Sequence, residues 1–280
     1  MAHFLIAAAL AAASAATVSA PQALVVPLSA RTPAIPDARP AIWVVNDADT
    51  VVYLFGTFHA LDGRSAWFND EIRTAFAASD ELVLETVVPK GALNVPAQLR
   101  TTPSAHVPNL AVTPTASFLA STRLAISAGR ERGMKTANGA DMVLRRAAEA
   151  SGKRIEGLES FNDQLGMFGR MTEQPARAGE PVQDPNAMEN LAIVMGQMQS
   201  AWNRGDSEIF TTMLDQMRAN SPDSYNVMFT QRNINWANWI ANRLQQPGTV
   251  FVAVGTGHLA GPDSVQTKLA LRGIRSARIN

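Results

Sequence analysis

The chain has 280 residues, 46% of them hydrophobic, with 24 Lys plus Arg set against 24 Asp plus Glu. At roughly 150 residues per domain this length accommodates one or two domains with a substantial core, and the balanced charge offers neither a basic surplus for nucleic acid nor an acidic tail. Cysteine is absent, which excludes disulfides and thiol chemistry and leaves His, Asp and Glu to hold any metal.

The first twenty residues, MAHFLIAAALAAASAATVSA, are apolar and Ala-rich, with small residues at Ala16 and Ala20. This is the pattern of a cleavable export signal over 1–20 and predicts a periplasmic or secreted protein, although the segment opens without Lys or Arg and Pro21 fits poorly behind a cut at Ala20. Residues 21–40 are Pro-rich and read as an extended connector, leaving 41–280 as a single domain. No later segment has ~18 uninterrupted apolar residues, so no internal membrane span is expected.

AIWVV and VVYLF flank NDADT, whose Asn and Asp favour a turn, and are expected to pair as a hairpin. Residues 64–79 carry Trp67, Ile72 and Phe76 at helical spacing, and ELVLETVV reads as a strand. Residues 89–114 hold five prolines and predict a long loop. TASFLASTRLAISAGRERG and NGADMVLRRAAEASG read as helices, the second ending at Gly152. KRIEGLE is a further strand, ESFNDQLGMFGRM a helix, and the polar, Pro-containing 172–187 a loop. Long helical patterns cover 188–218 and 222–245. The chain closes with strand TVFVAV, a Gly-Thr-Gly-His loop, helix PDSVQTKLALRG and strand IRSARI. Strands and helices alternate at both ends around an all-helical stretch, which predicts an α/β fold: a central sheet with a helical insertion.

Two distant apolar runs end alike. VVYLFGTFHAL stops at Gly56-Thr57 and presents His59; VFVAVGTGHLA stops at Gly255-Thr256 and presents His258. Each run reads as a buried strand with Gly-Thr as its sharp exit, the glycine permitting positive φ or close backbone approach. The histidines then stand just past strand C-termini, the edge where open α/β sheets bind ligands. If the strands are neighbours, the two histidines converge. Of the remaining histidines, His3 lies in the leader and His106 in the Pro-rich loop, where it reads as a solvated side chain.

Carboxylates occupy comparable places. Glu85 follows Leu82, Val83 and Leu84 at the end of a strand, where an acid is costly unless paired or liganding. Glu159 ends RIEGLE in the same way. Asp141, three residues after Asn138, fits an acid favouring a helix N-terminus. In RNINWANWIANRL the apolar stripe is Trp236, Trp239, Ile240 and Leu244, and one turn before Trp236 stands Arg232. Its guanidinium is therefore expected on or beside the core-facing side, meeting a carboxylate or a substrate anion. The Trp- and Met-rich stripes of the last long helices read as packing rather than as a cofactor box.

The segments AIWVVNDADTVVYLFGTFHAL, LVLETVVP, GADMVLRRAAEASGKRIEGLES and RNINWANWIANRLQQPGTVFVAVGTGHLAGPDSV, in this order over roughly residues 40–280, closely resemble the TraB/GumN family, which includes the animal Tiki proteins and pheromone-shutdown proteins. The family's paired Gly-x-x-His motifs and glutamate match Gly56 with His59, Gly255 with His258, and Glu85. Tiki members are described as metal-dependent proteases, and wider relatives resemble erythromycin-esterase-like hydrolases. The resemblance implies an α/β core with its site at strand ends and a divalent ion (Mn, Co or Zn) on His59, His258 and Glu85. Glu159 would then act as base or orienting group, and Arg232 would fix a carboxylate or the substrate. The 172–187 loop looks idiosyncratic, so substrate-shaping regions are expected to differ from those of studied members. An exported metal-dependent hydrolase of peptides or small molecules is the leading expectation. A metal-free hydrolase working through the histidines and Glu85, and a non-catalytic protein sequestering a peptide or small ligand, remain as alternatives. The HExxH zinc signature is absent.

Overall fold

The computed structural model describes residues 37–87, 125–170 and 186–280. The leader, nearly all of the connector, the Pro-rich loop with His106, the start of the helix before Gly133 and almost all of the 172–187 loop lie outside the described residues.

β1 (Ile42–Asn46) and β2 (Thr50–Thr57) form the expected antiparallel hairpin, with Ile42 opposite Phe55. Asp47 fixes the turn by accepting the N–H groups of Asp49 and Thr50. α1 (Asp70–Ala78) starts at Asn69, whose side chain accepts the Ile72 N–H at 3.1 Å and so satisfies a helix-end donor. β3 (Glu81–Thr86) follows, then helical residues 125–131 (α2). α3 (Ala140–Ser151) is stopped by Gly152 at φ 69°, a left-handed terminus suited to glycine. β4 (Arg154–Glu159) and α4 (Phe161–Arg170) succeed it.

The helical pattern over 188–218 is two helices, α5 (Ala187–Asn203) and α6 (Glu208–Asn220). Gly205 breaks it: its φ is 66°, and any Cβ there would meet the Arg39 carbonyl at 2.7 Å. The pattern over 222–245 is α7 (Pro222–Tyr225), one π-helical turn (Asn226–Thr230) and α8 (Gln231–Arg243). β5 (Gly248–Gly255), a 3-10 turn (Thr256–Leu259), α9 (Val265–Ala270) and the two-residue β6 (Ala277–Arg278) complete the chain.

The result is an α/β fold around a mixed six-stranded sheet of order β4-β3-β5-β2-β1-β6. β4, β3, β5 and β2 are parallel; β1 runs antiparallel to β2 and β6. Helices α4 to α8 fall between β4 and β5, which is the expected helical insertion. Alternate strand residues feed two cores. Phe55, Leu82, Leu84, Phe251 and Ala253 pack with α1, α3, Trp202 and Phe210. Val52, Leu54, Val83, Val250, Val252 and Val254 pack with Trp236 and Ile240 of α8 and Leu269 of α9. Covered on both faces, the central parallel strands β2, β3 and β5 are apolar over most of their length, as VFVAV is, whereas the edge strand β4 (RIEGLE) is charged and partly exposed. No helix among the described residues is long and apolar enough to cross a membrane.

At the start of β3, Glu81 is 2% exposed and accepts from Arg243 Nε at 3.0 Å and Arg154 Nε at 2.8 Å. Removing one partner from a buried ion pair leaves the other charged and desolvated. Glu81→Ala should therefore cost about 3 kcal/mol of stability, since it strands the Arg243 guanidinium. Urea denaturation measures this, and an unchanged midpoint would mean that solvent already serves these arginines.

Candidate active site

Each of the four parallel strands delivers one titratable side chain to the same rim. In spatial order these are Glu159 at the end of β4, Glu85 near the end of β3, His258 just after β5 and His59 just after β2. Their convergence follows from parallel pairing alone: neighbouring parallel strands finish on one edge, which is where such sheets carry their sites.

The two Gly-Thr-x-His motifs run side by side but are offset by one residue, with Gly56 opposite Val254 and Thr57 opposite Gly255. Both glycines serve close approach rather than positive φ. A Cβ on Gly56 would lie 2.9 Å from Thr256 Oγ1; one on Gly255 would lie 3.0 Å from Glu85 Oε1 and 3.2 Å from His59 Nε2. The offset also makes the histidines unequal. The His59 side chain is 63% exposed, whereas that of His258 is 6% exposed, beneath the rings of Phe229 and Trp236.

Each imidazole is tied back through Nδ1. His59 Nδ1 meets Asp141 Oδ1 at 3.2 Å. Asp141 sits in the first turn of α3, and Gly139 just before it lets the His59 carbonyl pack against bare backbone. For His258 the hydrogen bonds fix the tautomer. Asn233 Nδ2 donates to the Asp263 carbonyl, so Asn233 Oδ1 is left to accept from His258 Nδ1 at 2.6 Å. His258 Nε2 then carries a lone pair, and Arg232 Nη1 donates to it at 3.1 Å.

Arg232 joins the row from the opposite side. Its Nη2 donates to Glu85 Oε2 at 2.7 Å, its Nε to Glu159 Oε1 at 2.8 Å and its Nη1 also to the Met228 carbonyl at 3.3 Å. Trp236 lies under the guanidinium, 4.6 Å from its carbon to the ring centre, and donates its Nε1 to Glu159 Oε1 at 3.0 Å. Glu85 Oε1 accepts the Gly255 N–H at 2.6 Å and stands 3.9 Å from His258 Nε2. The π-helical turn supplies both Met228 and Phe229; such turns recur at functional sites.

Charge states follow from these contacts. Burial works against ionisation of Glu85, but His258, Arg232 and His59 together with the Gly255 N–H outweigh it and pull its pKa down to about 2. At ordinary pH the permanent cation Arg232 is chiefly responsible, because His258 is itself neutral. Burial, reinforced by Arg232 and His59 against the attraction of Glu85, drives His258 down to about 3. Although 63% of the His59 side chain is exposed, its ring is crowded by protein, which opposes protonation; the Asp141 hydrogen bond and the charges of Asp141 and Glu85 prevail and raise it to about 9.

All five expected site residues, His59, Glu85, Glu159, Arg232 and His258, come together. Sequence reasoning missed Asn233 and the role of Asp141. Nothing distinguishes Asp141 from an ordinary acid at a helix start, and Asn233 carries no signal beyond adjacency to Arg232. Thr57 was passed over as well; its Oγ1 is buried with no partner among the described residues, at the wall of the same cavity.

As a metal centre, two imidazole nitrogens and one carboxylate beside Gly255 fit a borderline divalent ion in donor type, and both imidazoles have the outer partner that ligating histidines have. Two observations stand against it: the hydrogen bond from Arg232 to His258 Nε2 would have to be released, and among the described residues no three such side chains are spaced to hold a metal ion. An apolar cavity of about 480 Å3 opens over His59, Glu85 and His258, and a more polar one of about 970 Å3 over Glu159; Arg232 borders both.

Fold and rim together define an α/β protein whose parallel strands converge on an ionic His/Glu/Arg cluster. The chain belongs to the TraB/PrgY/gumN family, whose model it matches over residues 41–278. No curated protein and no solved structure matches it.

Arg232→Met leaves Glu85 and Glu159 buried without their cation and should cost about 3–5 kcal/mol; Arg232→Lys, with one point charge for two carboxylates, should recover only part. Equal stability of wild type and Arg232→Met in chemical denaturation would refute this. A second expectation concerns pH. Between 6.5 and about 3 the unfolded chain binds a proton at His258 that the folded site refuses, so stability falls with falling pH by up to about 1.4 kcal/mol per unit. Glu85 adds to the loss only below about 4.5, its unfolded value, and His59 acts oppositely, losing its contribution as pH rises from 6.5 through about 9. Melts of chelator-treated protein from pH 6.5 to 5 should slope for wild type and flatten for His258→Gln; parallel slopes would contradict the burial argument.

Proposed function

We propose that this protein is an exported hydrolase that turns water on an ester or amide, peptides included, at His59, Glu85 and His258. Orientation carries the reading. Both imidazoles are held by Nδ1, His59 by Asp141 and His258 by Asn233, so both Nε2 atoms are directed to the space beside Glu85. A packed core has no need of two such pre-set imidazoles on one sheet edge.

His59 Nε2, His258 Nε2 and Glu85 Oε1 would hold a divalent ion (Mn, Co or Zn). When bound, the ion supplies an acidified water and a polarised carbonyl. The chain's own groups do the rest. Asp141 holds the His59 imidazole so that its Nε2 faces the space beside Glu85, and the departing oxygen or nitrogen takes its proton from the water that supplies the hydroxyl. Glu159 holds Arg232 and Trp236 in place, the orienting one of the two roles open to it, and Arg232 keeps Glu85 ionised. A metal-free variant is favoured by one observation, the Arg232 Nη1 bond to His258 Nε2. In it, His59 and Glu85 exchange protons with water and substrate directly. Export rests on the signal-like residues 1–20.

If the histidines form one unit, His59→Ala and His258→Ala should each lower hydrolysis at least about 100-fold, with the double variant little worse than either single. Metal stoichiometry, turnover of a mixed peptide and ester panel, and thermal midpoint are measured on all four proteins. Metal in wild type that is lost from both folded singles supports the metal-bound reading. Full activity after exhaustive chelation selects the metal-free one. Additive losses, or no turnover by wild type on any substrate, would sink the shared catalytic unit.

A further inference from the structure

Eleven methionines occur in the chain. Five of them, Met167, Met195, Met198, Met213 and Met228, line the 480 Å3 cavity over the histidines. They come from four separate elements: α4, α5, α6 and the π-helical turn. Repetition along one helix would reflect ordinary packing, but methionines from four elements facing one space build a wall. Among the described lining residues, titratable groups are confined to the floor, at His59, Glu85, Arg232 and His258. The volume falls within the roughly 300–1,000 Å3 of small-ligand sites. Methionine is unbranched and polarisable, so its surface re-forms around a flexible aliphatic chain more readily than Leu or Ile would.

The second cavity, beyond Arg232, is of different character. Glu159, Ser160, Asn162, Asp163, Gln231 and Asn235 line it. Val87, Leu158, Phe161, Met167 and Val227 share that lining, so the ionic cluster stands between an apolar space and one of mixed character.

We propose, building on the hydrolase reading, that the methionine-walled cavity is an acyl subsite and that the substrates are esters or amides of aliphatic acids with polar leaving groups. The acyl chain lies along Met195, Met198 and Met213, and the carbonyl rests on the floor at His59 and Glu85. Water adds its hydroxyl to the carbonyl carbon, the C–O or C–N bond breaks, and the departing oxygen or nitrogen takes the remaining proton and leaves on the Glu159 side. Each methylene seated in an apolar site strengthens binding by up to about fourfold, so chain length is the readout.

The test has a binding arm that does not depend on catalysis. The full chain is titrated calorimetrically with methyl ketones from butanone to decanone, uncharged and not hydrolysable. In parallel, kcat/KM is measured for p-nitrophenyl esters from acetate to octanoate below their micelle concentrations. Affinity should climb steeply along the ketones, and the octanoate-to-acetate ratio of kcat/KM should exceed about tenfold. Met213→Gln and Met198→Gln should each flatten both ladders. Should either variant fail to fold, the wild-type ladders decide alone. Ketones that bind in a rising series while no ester is cleaved support the apolar subsite and overturn the hydrolase reading. Esters cleaved at rates independent of chain length, with a flat ketone series, overturn the subsite and leave the hydrolase reading standing.

Discussion

Arg232 is a permanent cation carried into the interior between two carboxylates, an imidazole and a backbone carbonyl. Desolvating it is unfavourable by several kcal/mol, and only the charge of Glu85 and Glu159 offsets that. The converse is equally constraining. Two carboxylates at the ends of adjacent strands would repel without a cation between them. Arg232 therefore couples the sheet to α8: the strand ends fix where the guanidinium goes, and the guanidinium fixes how α8 lies across them. Trp236, one turn further along α8, completes the arrangement by stacking under the guanidinium and donating to Glu159.

The same constraint makes the paired motifs unequal. Both read Gly-Thr-x-His, yet the one-residue offset between β2 and β5 puts His258 under aromatic rings beside Arg232 and leaves His59 facing the cavity. One histidine is held neutral and the other protonated near neutral pH. Two similar pieces of sequence thus reach opposite charge states because their neighbours differ.

Much of this was legible from residues. The hairpin, the strand ends and Arg232 follow from local patterns: alternation broken by turn residues, apolar runs ending at Gly-Thr, and an arginine in step with a tryptophan stripe. The break at Gly205 was hidden, because helical periodicity resumes after the kink and only the backbone angle reveals it. Asp141 and Asn233 were illegible because their roles depend on contacts across the fold. The methionine stripe does pack, with Met195, Met198 and Met217 against the core, as its periodicity implied. Periodicity reports that a helix face is apolar, but not whether the space it faces is filled by another helix or left open, and here Met195, Met198 and Met213 border a cavity.

The strand order has a consequence for how the molecule is made. β5 lies between β3 and β2, yet it is encoded more than a hundred residues after β3. Until residues 248–255 arrive, β2 and β3 each expose an unpaired apolar edge, and His59 and Glu85 belong to parts of the sheet that do not touch. Closing such long-range parallel pairings is slow and leaves edges open to other chains. Insertion of β5 is then the step at which a partly folded, association-prone chain becomes a closed sheet. It is the same step that assembles the rim, so a molecule arrested before it has neither a continuous core nor a site.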